Sequence, residues 1–251
     1  MKRWISLVGS LVATVATFAL INFLLPLKAS NTLTGFEGDL EDWAQWINVH
    51  FFIWLSFWLG VTIILEQWLE QRAERGVFES SPLNRDHGIV YEARELRDIY
   101  ARATALPVTS LTRNLIQRSI TQFQSSKSWS QTNEILKSTT DELLNRLELK
   151  YTTVKYLTWL IPTLGFIGTV VGIANALAAV GELTPTDFAE ATFLPVVVTK
   201  LGVAFTTTLV ALVLSAILIF MTSRQQAADE ELIADIFGDC VDNLLNKLHL
   251  E

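Results

Sequence analysis

The chain has 251 residues, half of them hydrophobic and only 18% charged, with a mean hydropathy of +0.34. A soluble domain of this length carries more charge and shorter apolar runs, so the composition points to an integral membrane protein. A net charge of −7 without a Lys/Arg cluster excludes nucleic acid as a partner, and a single cysteine, Cys240, excludes a disulfide framework.

The first apolar run is Trp4 to Leu25, preceded by Lys2 and Arg3 and closed by Pro26. Its core of about twenty residues is long enough to cross a bilayer. It is expected to be retained as a transmembrane helix. A cleaved signal peptide is the competing reading, with Leu27-Lys28-Ala29 as a poor cleavage box, so the fate of residues 1–29 stays open. A short polar loop from Ala29 to Trp46 carries Glu37, Asp39, Glu41 and Asp42. Trp43, Trp46, Trp54 and Trp58 then bracket a second span, about Ile47 to Leu65, as interfacial aromatics do.

From Gln67 to Lys150 the chain is hydrophilic and holds twelve of the nineteen Lys and Arg residues. Loops 28–46 and 181–193 hold one and none. Basic residues favour the cytoplasmic side, which places 67–150 and both termini inside. Ser80-Ser81-Pro82 and Leu106-Pro107 punctuate this segment. The helices expected in it are His87 to Ala103, Ser110 to Gln124, and a third that starts at Ser130 and enters the membrane unbroken at about Tyr156.

The third span covers about Thr152 to Val180 and contains Pro162, whose missing N–H frees a backbone carbonyl and permits a kink or gate. After a short acidic loop, Glu182 to Glu190, a fourth span runs from about Phe193 to Met221. The tail beyond it places Leu232/Ile233, Ile236/Phe237, Cys240/Val241 and Leu244/Leu245 at helical spacing among acidic residues. It reads as an amphipathic helix that packs on the 67–150 helices or on a neighbouring subunit. The expected fold class is all-α: a polytopic membrane protein with four transmembrane helices and a helical cytoplasmic region. Its segments are 1–66 (spans 1 and 2), 67–150 (cytoplasmic), 151–222 (spans 3 and 4) and 223–251 (tail helix).

Spans 3 and 4 each carry a stripe of small residues. Gly168, Gly172 and Ala176 recur every four residues on one helical face, with Gly165 beside them. Ala204, Thr208, Ala211 and Ser215 recur at three or four in the fourth span. Such stripes serve close helix packing or wall a path. The interiors of the four spans show no Asp, Glu, His or Arg, although a membrane proton path needs a titratable group to pause on. Either the protein conducts nothing, or a partner supplies the acid. No phosphate loop, GxSxG elbow or dinucleotide fingerprint is present, and His50, His87 and His249 are scattered. Neither an enzyme nor a cofactor or metal site is expected.

The run from Pro162 to Ile173, PTLGFIGTVVGI, resembles the first signature of the MotA/TolQ/ExbB proton-channel family, approximately PxLGLLGTVxGI. Ala204 to Leu212, AFTTTLVAL, is similar to the second signature, ALxxTxxGL; Thr208 matches its threonine, and Ala211 stands where glycine is usual. The resemblance implies a homo-oligomer, a pentamer, in the bacterial inner membrane around two copies of a single-span partner. That partner would bring the essential intramembrane acid and a periplasmic domain. It implies that protons, with sodium as the alternative, pass between the two and drive rotation. Thr169 and Thr208 would line the path, with Ala204, Ala211 and Ser215 on the same wall. Gly165, Gly168, Gly172 and Ala176 would pack helices. Pro162 and Lys200 are candidates for a gate or partner contact, Lys200 otherwise snorkelling to the outer interface. Arg94, Glu95 and Arg97 invite comparison with the charged helix by which flagellar stators push on a rotor, against the alternative of a solvated face. Within the family the alternative is a TolQ/ExbB-like energiser of outer-membrane transport or envelope constriction. Outside it, the alternative is a non-conducting membrane scaffold.

Overall fold

The computed structural model describes residues 2–24, 49–83, 91, 93–181 and 193–247, and every regular element among them is helical. In chain order these are α1 (Lys2–Leu24), α2 (Val49–Glu79), α3 (Ala93–Thr104), α4 (Leu111–Ser126), α5 (Trp129–Gly181), α6 (Phe193–Asn243) and a closing 3₁₀ turn (Leu245–Lys247). The chain divides into two compact units, 1–65 with 153–222 and 66–152 with 223–251.

Among the described residues, three helices are long and apolar enough to cross a membrane, within Val49–Glu79, Trp129–Ala178 and Val197–Lys247. They correspond to the second, third and fourth of the four expected spans. The first expected span falls in α1, a helix of 23 residues whose apolar stretch among the described residues is Val8–Ile21. The long helix expected from Ser130 is present as α5, 53 residues with Pro162 inside it. α6 is one 51-residue helix containing both the fourth span and the tail. No Gly or Pro interrupts residues 222–237, which are mostly good helix formers, and Gln225 to Asp229 and Gln226 to Glu230 are bonded one turn apart.

The apolar unit is held by Ile53, Phe57 and Ile64 of α2, Val154, Leu157 and Ile161 of α5, and Val210, Ala211, Leu214 and Leu218 of α6. Its exterior is also apolar: Phe166, Leu177, Phe205, Leu209 and Phe220 are all exposed. An aqueous protein does not display such a surface, whereas a bilayer or neighbouring subunits accept it.

In the polar unit α3 buries Leu96, Ile99 and Ala103 against Leu115, Ile116, Ile120 and Phe123 of α4. Leu136 of α5 and the tail residues Leu232, Ile236, Cys240, Leu244 and Leu245 complete this core. The apolar stripe of the tail thus packs on helices of its own chain. Glu74 of α2 holds the start of α4, accepting from the Ser110 hydroxyl (2.8 Å) and from the Thr112 amide and hydroxyl (2.9 Å each). Ser110 is itself the N-cap, and Lys127 closes α4 in the left-handed conformation.

Candidate functional site

The two small-residue stripes meet. A Cβ placed on Gly165 would lie 2.5 Å from the Ala211 Cβ and 3.3 Å from the Thr208 Cα. On Gly168 it would lie 2.5 Å from Thr207 Cγ2, and on Gly172 it would lie 2.5 Å from the Ala204 Cβ and 3.0 Å from its Cα. The backbones of α5 and α6 approach so closely that only hydrogen fits at these positions. Ala176, Ala204 and Ala211 are buried, with Ala204 and Ala211 in the floor of this seam.

Thr169 and Thr208 come together on the same seam. The Thr208 hydroxyl donates across the helices to the Gly165 carbonyl at 2.9 Å. The Thr169 hydroxyl lies in hydrogen-bond contact with the Thr208 hydroxyl, and the carbonyls of Gly165 (3.2 Å) and Ala204 (3.3 Å) are within its reach. Two hydroxyl protons therefore have more acceptors than they need, and they can be redistributed without moving a heavy atom. Both threonines are only part-buried, so a further polar group can approach them. Thr163, Thr199 and Thr206 differ: each donates to the carbonyl four residues earlier in its own helix.

Ser215 sits further along α6 and has a different partner. Its hydroxyl donates at 2.9 Å to the Thr158 carbonyl. That is the carbonyl Pro162, four residues on, cannot satisfy because it lacks an N–H. Pro162 and Ser215, read from the sequence as unrelated, thus belong to one cross-helix arrangement.

Sequence reasoning missed His50. It stands in the second residue of α2, is 3% exposed, and places Nε2 3.2 Å from the Thr207 hydroxyl. The expectation concerned the interiors of the spans, and His50 stands at the start of α2. A lone histidine at a helix start gives no periodic signal. Only its proximity to span 4 would have marked it, and a sequence does not show proximity. Lys200 lies in α6 and Arg94 in α3, but both side chains fall outside the described residues. Glu95 and Arg97 are exposed on α3, opposite its buried Leu96, Ile99 and Ala103.

The arrangement offers paired hydroxyls at a close helix crossing, a buried imidazole beside them, and no carboxylate in 49–65, 156–181 or 193–222. The hydroxyls can hand a proton along but cannot hold its charge, which takes a titratable group. The family model of the MotA/TolQ/ExbB proton channel family matches residues 107–236, just over half of the chain. No curated protein and no solved structure matches it.

Proposed function

Because the chain belongs to the MotA/TolQ/ExbB proton channel family, we propose that it is the ring-forming channel subunit of a rotary motor complex driven by the ion-motive force. The observation that carries this reading is the Thr169–Thr208 contact, where the matched stretches of α5 and α6 meet through glycine. In the proposed complex several copies, five by resemblance, surround a partner with one transmembrane helix. The partner's acid holds the proton, and the threonine pair receives or orients it. The ring then steps around the partner. Protons are the proposed cargo, since hydroxyls without added carboxylates suit them better than sodium. No bond of a substrate is made or broken.

The proposed setting is the bacterial inner membrane, with the polar unit and both termini in the cytoplasm and α1 as a further crossing. Arg94, Glu95 and Arg97 then face the cytoplasm, and Lys200 stands near the outer mouth. A second reading, an energiser of outer-membrane transport or envelope constriction in the manner of TolQ and ExbB, is favoured by the three candidate spans among the described residues if α1 does not cross. Deleting the gene in its host separates the two: lost motility supports the motor, and lost receptor-dependent uptake or disordered constriction supports the energiser.

The channel itself is tested with the complex purified from its native membrane through this chain and placed in liposomes. Versions with and without the partner's segment just beyond its span allow for a plug. Thr169→Val and Thr208→Val are each expected to lower proton flux by roughly a hundredfold, the scale of direct participation in proton transfer. An assembled complex that carries no flux in any version would leave a non-conducting scaffold as the function.

A further inference from the structure

His50 is the one histidine among the described residues, and its surroundings are more specific than packing requires. Thr207 already donates its single proton to the Val203 carbonyl at 2.8 Å. It is satisfied in the same way as Thr199, Thr206 and Thr222 of the same helix, so the imidazole is not there to complete it. With the Thr207 proton on the Val203 carbonyl, His50 donates from Nε2–H and keeps the Nδ1 lone pair to accept a proton. A leucine or phenylalanine would fill the same space at lower cost in a bilayer, and a glutamine would supply the same hydrogen bond without titrating.

The position along the seam is equally particular. Thr207 contacts the Gly168 position and precedes Thr208, while Gly168 precedes Thr169. The imidazole therefore stands within about one residue's rise, ~1.5 Å along α6, of the level at which the two threonines meet. No other charged group shares that level among the described residues. Residues 156–181 carry none, α1 has none after Arg3, and α2 has none before Glu66. In residues 193–222 of α6 there is only Lys200, two turns from Thr207, with its side chain outside the described set.

We infer that His50 is a proton-binding residue of the channel wall, a station supplied by this chain itself at the level of the Thr169–Thr208 pair. Neutral imidazole takes one proton at Nδ1 and becomes imidazolium, with Nε2–H kept on Thr207. Release returns the proton and the neutral ring, and no other reactant is needed. This role rests on the channel reading proposed above. It adds to that reading a titratable group in every copy of the ring besides the partner's acid.

The test uses the same native complex in liposomes, unmodified and as His50→Gln, with flux followed as a function of pH. Glutamine keeps a donor toward Thr207 and cannot titrate. The expected result is assembled complex whose flux falls on the order of tenfold and follows pH differently from that of the unmodified complex. In the unmodified complex, isotope-labelled histidine followed by infrared or NMR spectroscopy should show an imidazole at position 50 that gains and loses a proton under conducting conditions. That measurement stands even if the variant fails to assemble. Wild-type flux and an unchanged pH profile in His50→Gln, or an imidazole that stays neutral wherever flux occurs, would overturn the role of His50 alone. Absence of flux from the unmodified complex would sink the channel reading and this inference with it.

Discussion

Pro162 and Ser215 show how one residue's deficiency sets another's role. In a bilayer an unpaired carbonyl costs more than in water, and a proline in mid-helix leaves one at the position four residues earlier. Here that is the Thr158 carbonyl, taken up by Ser215 from the facing helix at 2.9 Å. Ser215→Ala should therefore destabilise the protein by about 1–2 kcal/mol, the range for a hydrogen bond between membrane helices. Pro162→Ala restores an N–H to Thr158, so the cost of Ser215→Ala in that background should shrink toward zero. A double-mutant cycle of thermal unfolding in detergent measures this directly, and equal costs in both backgrounds would refute the coupling. The sequence shows Ser215 as one more small polar residue on a stripe and Pro162 as a frees-a-carbonyl position. Their pairing depends on helix register, which periodicity does not encode. His50 eluded sequence reading for the same reason.

At the scale of elements, the base of the polar unit depends on a buried tyrosine. Tyr151 of α5 is fully buried and donates to one oxygen of Asp229 on α6 at 2.8 Å, while Gln225 donates to the other at 3.1 Å. Burial pushes the Asp229 carboxyl above its ordinary range, and the hydrogen bonds from Tyr151 and Gln225 and the charge of Lys150 pull it back. Burial also pushes the Tyr151 phenol up, aided by its bond to Asp229 and by the charges of Asp229 and Glu230. A carboxyl raised in the folded state holds its proton more firmly there, so its contribution to stability is full below the ordinary carboxyl range. That contribution is lost as pH rises through the raised value. Tyr151→Phe removes the donor that supports ionised Asp229. Its penalty should be small at the acid edge of the carboxyl range and larger at neutral pH, as read from melting temperatures at the two. A penalty independent of pH would mean that Tyr151 acts by packing alone. The elements themselves were legible: Leu106-Pro107 separates α3 from α4, and the absence of breakers from Ser130 to Tyr156 keeps α5 unbroken there. The clasp of Glu74 on the start of α4 was not, because it joins residues 36 and 38 apart in sequence.

Over the whole molecule, one chain uses two opposite rules of burial. The apolar unit turns Phe166, Leu177, Phe205 and Phe220 outward, while the polar unit folds Leu115, Ile116, Leu136 and Ile236 inward. Hydropathy along the sequence reveals this division because bilayer and water select opposite surfaces. The proposed cytoplasmic placement of the polar unit rests on the distribution of Lys and Arg, and the cysteine chemistry of the chain supplies a way to test it. Cys240, the sole cysteine, is 1% exposed in the polar core, and burial pushes its thiol up, away from the reactive thiolate. The native chain should therefore resist a membrane-impermeant maleimide from either side. Gln124 is exposed near the end of α4, so Gln124→Cys introduces a single accessible thiol. It should label in inverted membrane vesicles and stay unlabelled in intact spheroplasts. Labelling in spheroplasts would place the polar unit outside and reverse every topological assignment above. Labelling of Cys240 in the native chain would show instead that the core around Leu232, Ile236 and Leu244 opens in the membrane-bound protein.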